Sequence, residues 1–223
     1  MQDLRDGVRD AVPILVGIAP FGLVTGIASV EAGLTLTQAV GMSVIVFAGT
    51  SQLAALDLIG ANAPFAVVVG TAIVINVRVV MYSASIAPRF ARYGRRVRAA
   101  LAYLLTDQAY ALSIAEFTEN EGRDPARYYT GVGGAIWVVW VICTIAGVVV
   151  GTGVPESLGL TFAVPLVFLA LLVPTMKDRP TTIAAVVGGT VTVAAAGVPY
   201  NLALPVGTVV GIGAGLATER ASQ

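Results

Sequence analysis

The chain has 223 residues, 57% of them hydrophobic and only 12% charged, with 13 basic and 13 acidic residues, no histidine and one cysteine. A soluble domain of this length carries about a quarter of its residues charged, so a water-exposed globule is excluded. Zero net charge argues against nucleic acid as a partner, and the lack of His and of clustered Cys argues against a metal site or a disulfide framework.

The opening "MQDLRDGVRD" is mixed in charge, and no short apolar stretch with a small-residue cleavage site follows it. It reads as a cytoplasmic N-terminus over residues 1–10 and not as a cleaved signal peptide. Apolar runs follow at 11–30, 38–59, 64–87, 99–117, 130–153, 159–176, 182–197 and 199–217, and 218–223 form a polar tail. Runs of about 18 residues or more are long enough to cross a bilayer, so the expected fold is an all-α polytopic membrane protein with one integral domain over 1–223 and the lipid bilayer as its solvent.

In the first run Gly22 and Gly26 have GxxxG spacing, which lets helices approach closely, and Pro20 predicts a kink or an end. In the second, "FAGTSQ" places Gly49, a residue that permits a backbone break, before Thr50, Ser51 and Gln52. The third contains "IVINVRVVMYS", with Arg78 about 15 Å from the helix end at about 1.5 Å per residue. An Arg at that depth costs about 2.5–3.5 kcal/mol and normally faces a protein interior or a watery cavity, with a partner. Tyr82 shares its face four residues on and Ser85 continues it, whereas Asn76 points toward another helix. The fourth run holds "LLTDQ", with Thr106, Asp107 and Gln108. Asp107 is the better partner for Arg78, because Asp57 falls at the end of its own segment. Beyond it, "ENEGRDPARYY" reads as a solvated loop. Gly147 and Gly151, then Gly207, Gly211 and Gly215, form small-residue stripes suited to helix packing or to a partner interface, and Pro165 and Pro174 predict kinks or ends.

Orientation follows from the bias of Lys and Arg toward the cytoplasm. Eight straight crossings would put Arg89, Arg92, Arg95, Arg96 and Arg98 outside. If 38–59 and 99–117 dip in and return, those five join Arg5, Arg9, Arg123, Arg127, Lys177, Arg179 and Arg220 in the cytoplasm. The outer loops near Glu31, Asn62, Glu156 and Val198 then carry no basic residue. The expectation is about six crossing helices plus two re-entrant or broken segments. "TSQLAAL" at Thr50–Leu56 resembles "TDQAYAL" at Thr106–Leu112, 56 residues on. A crossing helix plus a broken segment used twice, in opposite orientations, is a common transporter plan; a match this short in an Ala- and Leu-rich chain also arises by chance.

A pocket with a fixed cation, a carboxylate, amides and hydroxyls (Asn76, Arg78, Tyr82, Thr50–Gln52, Thr106–Gln108) suits a zwitterion, and apolar walls suit an aliphatic side chain. The same groups also fit a carrier of another small polar or anionic solute held by Arg78, a structural subunit that supports a partner's pore, a plain ion pair locking the bundle and hydroxyls that glue helices. An intramembrane enzyme would need Asp57 and Asp107 placed together, and no P-loop pattern is present.

"PFGLVTG", "SVIVFAGTSQLAAL", "NVRVVMYSASIAP", "LLTDQAYAL" and "FAVPLVFLALLVP" occur in an order that resembles the AzlC family, from about Pro13 to Ala217. The resemblance implies the large subunit of a branched-chain amino acid exporter: an inner-membrane permease, no enzyme and no cofactor, working with a small AzlD-type membrane subunit. Gln52, Asn76, Arg78 and Asp107 match the family pattern. Val79 stands where His often follows the Arg, Gln108 where Glu is common, and Thr161 where Asp is common. These three neutral positions weaken any proton relay carried over from relatives.

Overall fold

The computed structural model describes residues 1–120, 122–153, 176, 178–195 and 203–221. Glu156, Thr161, Pro165, Pro174, Lys177 and Val198, with the run 159–176 apart from Met176, lie outside the described residues. The chain divides into two compact units, Met1–Val167 and Phe168–Gln223.

The first unit contains α1 (Gln2–Glu31), α2 (Leu36–Val46), α3 (Gly49–Gly60), α4 (Phe65–Ile86, continued by a 3-10 turn Ala87–Phe90), α5 (Arg95–Tyr103), α6 (Asp107–Glu119) and α7 (Pro125–Gly153). Among the described residues, α1, α4 with its turn, and α7 are the helices long and apolar enough to cross a membrane. Helix α1 continues through Pro13 and Pro20, so Pro20 does not end it. The neighbouring α7 supplies the reason: the two helices run parallel and interlock through glycine. A Cβ on Gly22 would sit 2.9 Å from the Cys143 Cβ, and one on Gly151 would sit 3.2 Å from the Val30 side chain. Gly7 rests against the Tyr128 carbonyl, Gly131 against that of Leu4, Gly26 against that of Thr144 and Gly147 against that of Leu23.

Both segments expected to be broken are broken. Helix α2 starts from a capping box between Thr35 and Gln38 and stops at Phe47, whose φ of 41° is left-handed. Phe47 thus carries the turn that the sequence suggested for Gly49, which is the first residue of α3. Gly49 serves close approach instead: a Cβ there would lie 2.7 Å from the Trp140 ring and 2.8 Å from that of Phe21. Helix α3 returns to where α2 began, since a Cβ on Gly60 would be 3.9 Å from the Ala32 Cα. The second break spans residues 104–106, and the Thr106 hydroxyl caps α6 by accepting from the Ala109 N–H at 3.2 Å.

At the opposite end of this unit the charged groups lock together. The Tyr93 hydroxyl donates to Asp124 at 2.8 Å, and Arg123 reaches Glu116 at 2.7 Å and Asp6 at 3.4 Å. The start of α1, the α4–α5 connection and the α6–α7 connection therefore share one basic end, as two returning segments require and alternating crossings forbid. "ENEGRDPARYY" is more than a solvated loop: Asp124 caps α7 through the Arg127 N–H at 3.1 Å, Pro125 is the first helical residue, and Arg123 stacks over Tyr128 at 5.3 Å. Helices α1 and α4 run in opposite directions, and each is followed by a pair of half-helices entering from its own end. The two breaks meet, with the Tyr103 hydroxyl donating to the Val44 carbonyl and the Phe47 and Tyr103 rings 6.1 Å apart.

The second unit contains α8 (Arg179–Ala194) and α9 (Ala203–Ala221) as an antiparallel pair. Gly207 packs on Thr192 and Gly188, Gly211 on Gly188 and Ala184, and Gly215 on Ala184 and Pro180. This stripe is therefore covered by α8 and is not a face for a partner.

Candidate functional site

Helix α4 shows why an apolar helix carries Arg78. Ile73, Val74, Val77, Val80 and Met81 form one exposed apolar stripe, the pattern of a lipid-facing surface. Arg78 and Asn76 turn toward the two breaks. The Arg78 guanidinium pairs with Asp107 at 2.9 Å, and the same Nη2 lies 3.4 Å from the Thr50 hydroxyl. It thus bridges the starts of α3 and α6, with Asp107 in the first turn of α6, where the helix dipole favours a carboxylate.

Behind Arg78 a column of polar groups crosses the unit. Asn76 donates to Ser51 at 2.8 Å, and Ser51 donates to the Ala48 carbonyl at 3.0 Å, which satisfies part of the backbone freed by the break. Gln52 donates to Ser43 at 2.6 Å; Ser43 approaches Thr144 at 3.5 Å, and Thr144 donates to the Trp140 carbonyl. Gln52 Oε1, Arg78 Nε and Trp140 Nε1 are buried without a hydrogen-bond partner. Such atoms are costly unless a water or ligand meets them.

These groups surround a pocket of about 60 Å³. Six predicted residues line it: Thr50, Asn76, Arg78, Thr106, Asp107 and Gln108. Ser51 and Gln52 are buried behind it and hold Asn76 and α2 in place. Tyr82 does not line it; its ring stacks on Tyr110 at 4.6 Å, and the Tyr110 hydroxyl is 2.9 Å from that of Ser85. Tyr82 therefore positions α6, the helix that carries Asp107. Asp57 is exposed near the end of α3 and is not part of the pocket.

The pocket's apolar wall includes Phe21, Phe47, Val79, Leu105, Ile136 and Trp140. Sequence reasoning missed Phe21, Ile136 and Trp140, which come from α1 and α7, far from the polar motifs in the chain. The one signal available was a Trp inside an otherwise apolar run, beside Thr144. Ligand sites usually measure about 300–1,000 Å³, so this pocket is smaller than one, and the Arg78 and Asp107 side chains at its mouth remain partly exposed.

Residues 13–154, which span most of α1 to α7 and the whole pocket, match the AzlC protein family. The chain belongs to the AzlC family. It is similar to the inner membrane protein YgaZ of Escherichia coli K12, with 27% identity over 96% of this chain and 88% of that protein. It is also similar to uncharacterized membrane proteins of Archaeoglobus fulgidus (30% identity; 85% and 83% coverage) and of Helicobacter pylori 26695 (25%; 79% and 77%). No solved structure matches it. This AzlC protein is a membrane protein, and its family and membrane-protein relatives support a transporter.

Proposed function

We propose that this AzlC protein is the large subunit of a secondary exporter of branched-chain amino acids, acting in the inner cell membrane with a small AzlD-type membrane subunit. The observation that carries the reading is the Arg78–Asp107 pair, closed across two helix starts in a pocket with apolar walls. A zwitterion can exchange with that pair. Its carboxylate takes Arg78 and its ammonium takes Asp107, so each charge keeps a partner of opposite sign. A simple anion would leave Asp107 unpartnered, and a simple cation would leave Arg78 so. The walls, Phe21, Phe47, Val79, Leu105 and Ile136, suit a branched aliphatic side chain.

A zwitterion bound in this way separates the pair, so substrate binding and charge separation belong to one event. An intramembrane aspartyl enzyme is disfavoured because Asp57 lies outside the pocket. The test is counterflow in liposomes across a panel of amino acids, with and without the small subunit. Exchange of valine, leucine and isoleucine is expected. Exchange of small anions with no competition from these amino acids would favour an anion carrier instead, and full activity of this chain alone would remove the partner from the proposal.

A further inference from the structure

At the basic end a second cavity, of about 380 Å³, is lined by Arg95, Arg98, Tyr129 and Leu105 together with Ser83 and apolar residues of α4, its 3-10 turn and α5. Arg95 and Arg98 are three residues apart and reach it from one face of α5. Among the described residues neither has a carboxylate within ion-pair distance. They stand in the first turn of a helix with no acidic residue there and no side-chain cap at Gly94. Cations at the positive end of a helix are unfavourable, and an anion relieves the conflict. A separate observation points the same way. Tyr129 is fully buried, its hydroxyl has no partner, and it lines this same cavity. A cytoplasmic bias of Arg explains the number of basic residues at this end but not an unsatisfied buried hydroxyl on a residue that lines the same cavity.

Leu105, at the second break, lines both this cavity and the central pocket. The outer space is of the size that holds a small solute, whereas the central one is not. We propose that Arg95, Arg98 and Tyr129 form an intake site that receives the substrate's carboxylate from the cytoplasm, with Leu105 as the apolar partition the substrate passes to reach Arg78. The proposal rests on the amino acid export reading and adds to it a first binding step. Two guanidinium forks and a phenol are donors only toward a carboxylate, and Ile86, Leu101 and Ala102 beside them take the aliphatic side chain.

The test uses the complete exporter in membrane vesicles of both orientations, with the variants Arg95→Gln/Arg98→Gln, Arg95→Lys/Arg98→Lys and Tyr129→Phe. The double Gln variant is expected to raise KM for leucine about tenfold from the cytoplasmic face only, the lower end of electrostatic steering. Its kcat is unchanged, and its KM no longer rises with salt. The double Lys variant restores most of the loss, and Tyr129→Phe gives a smaller rise. An unchanged KM, or equal changes from both faces, overturns the site. So does an effect that vanishes in liposomes free of anionic lipid, which would make the arginines a headgroup site. A wild-type exporter that moves no aliphatic amino acid fails the underlying reading; one that moves leucine normally in all variants fails only the intake site.

Discussion

Arg78 is a single side chain that reaches both broken segments, pairing with Asp107 on one and approaching Thr50 on the other. Arg78→Ala is expected to lower transport at least about tenfold while the protein still inserts, because an arginine in the middle of a membrane helix, where it costs several kcal/mol to insert, normally marks a substrate or ion path. Arg78→Lys should recover part of the activity, since an ammonium cannot reproduce the guanidinium fork. Because the two groups act as a pair, Arg78→Ala/Asp107→Asn should be no worse than either single change; initial rates in proteoliposomes, normalised to inserted protein, check all three. A purely structural pair would instead show normal rates in whatever variant assembles. The charged half of this site was legible because a lone Arg and a lone Asp stand out in apolar runs. Phe47 was not. A bulky residue at positive φ is uncommon, so local preference pointed to Gly49, and only the packing of Phe47 against Tyr103 and the core outweighs its backbone cost.

Helices α1 and α7 are held by backbone contact at glycine, and the tolerance of each position follows from what its Cβ would meet. Gly147→Ala would drive a methyl group into the Leu23 carbonyl, whereas Gly134→Ala, on the same helix, meets nothing within 4 Å. The first should cost about 1–3 kcal/mol, the usual range for overpacking, and the second should leave the thermal midpoint in detergent unchanged. These stripes were visible as spacings, but which helix each one meets was not, because the partner lies more than a hundred residues away along the chain. At the head of α7, partial burial pushes the Asp124 carboxyl up. The Arg127 backbone N–H, the Tyr93 hydroxyl and the guanidinia of Arg92 and Arg127 outweigh that and hold it below its ordinary value. With the folded pKa below the unfolded one, the group stabilises the protein above about pH 4 and loses that contribution as pH falls through the lower folded value. The midpoint of the wild type should drop in that window, and Asp124→Asn should flatten the drop.

For the molecule as a whole, the charge distribution gave the topology and the contacts of the first unit agree with it. With Cys143→Ser as background, an impermeant thiol reagent outside the cell should label Ala61→Cys and spare Gly94→Cys and Gly122→Cys. External labelling at 94 would turn α5 and α6 into a crossing and dismantle the opposed-hairpin arrangement. The opposed arrangement of α1–α3 and α4–α6 left no more trace in the sequence than one seven-residue similarity, because opposite orientation fixes which end a segment enters and not which residues it uses. The parallel contact of α1 with α7 bears on how the protein is made. Gly7 meets Tyr128, so α1 leaves the ribosome about 120 residues ahead of the mate it packs against. At about 5–20 residues per second that is roughly 6–25 s during which the α1 glycine groove faces lipid or a chaperone. A nascent chain arrested before Pro125 should therefore present an unassembled α1 to membrane quality control, and one arrested after Gly153 should not.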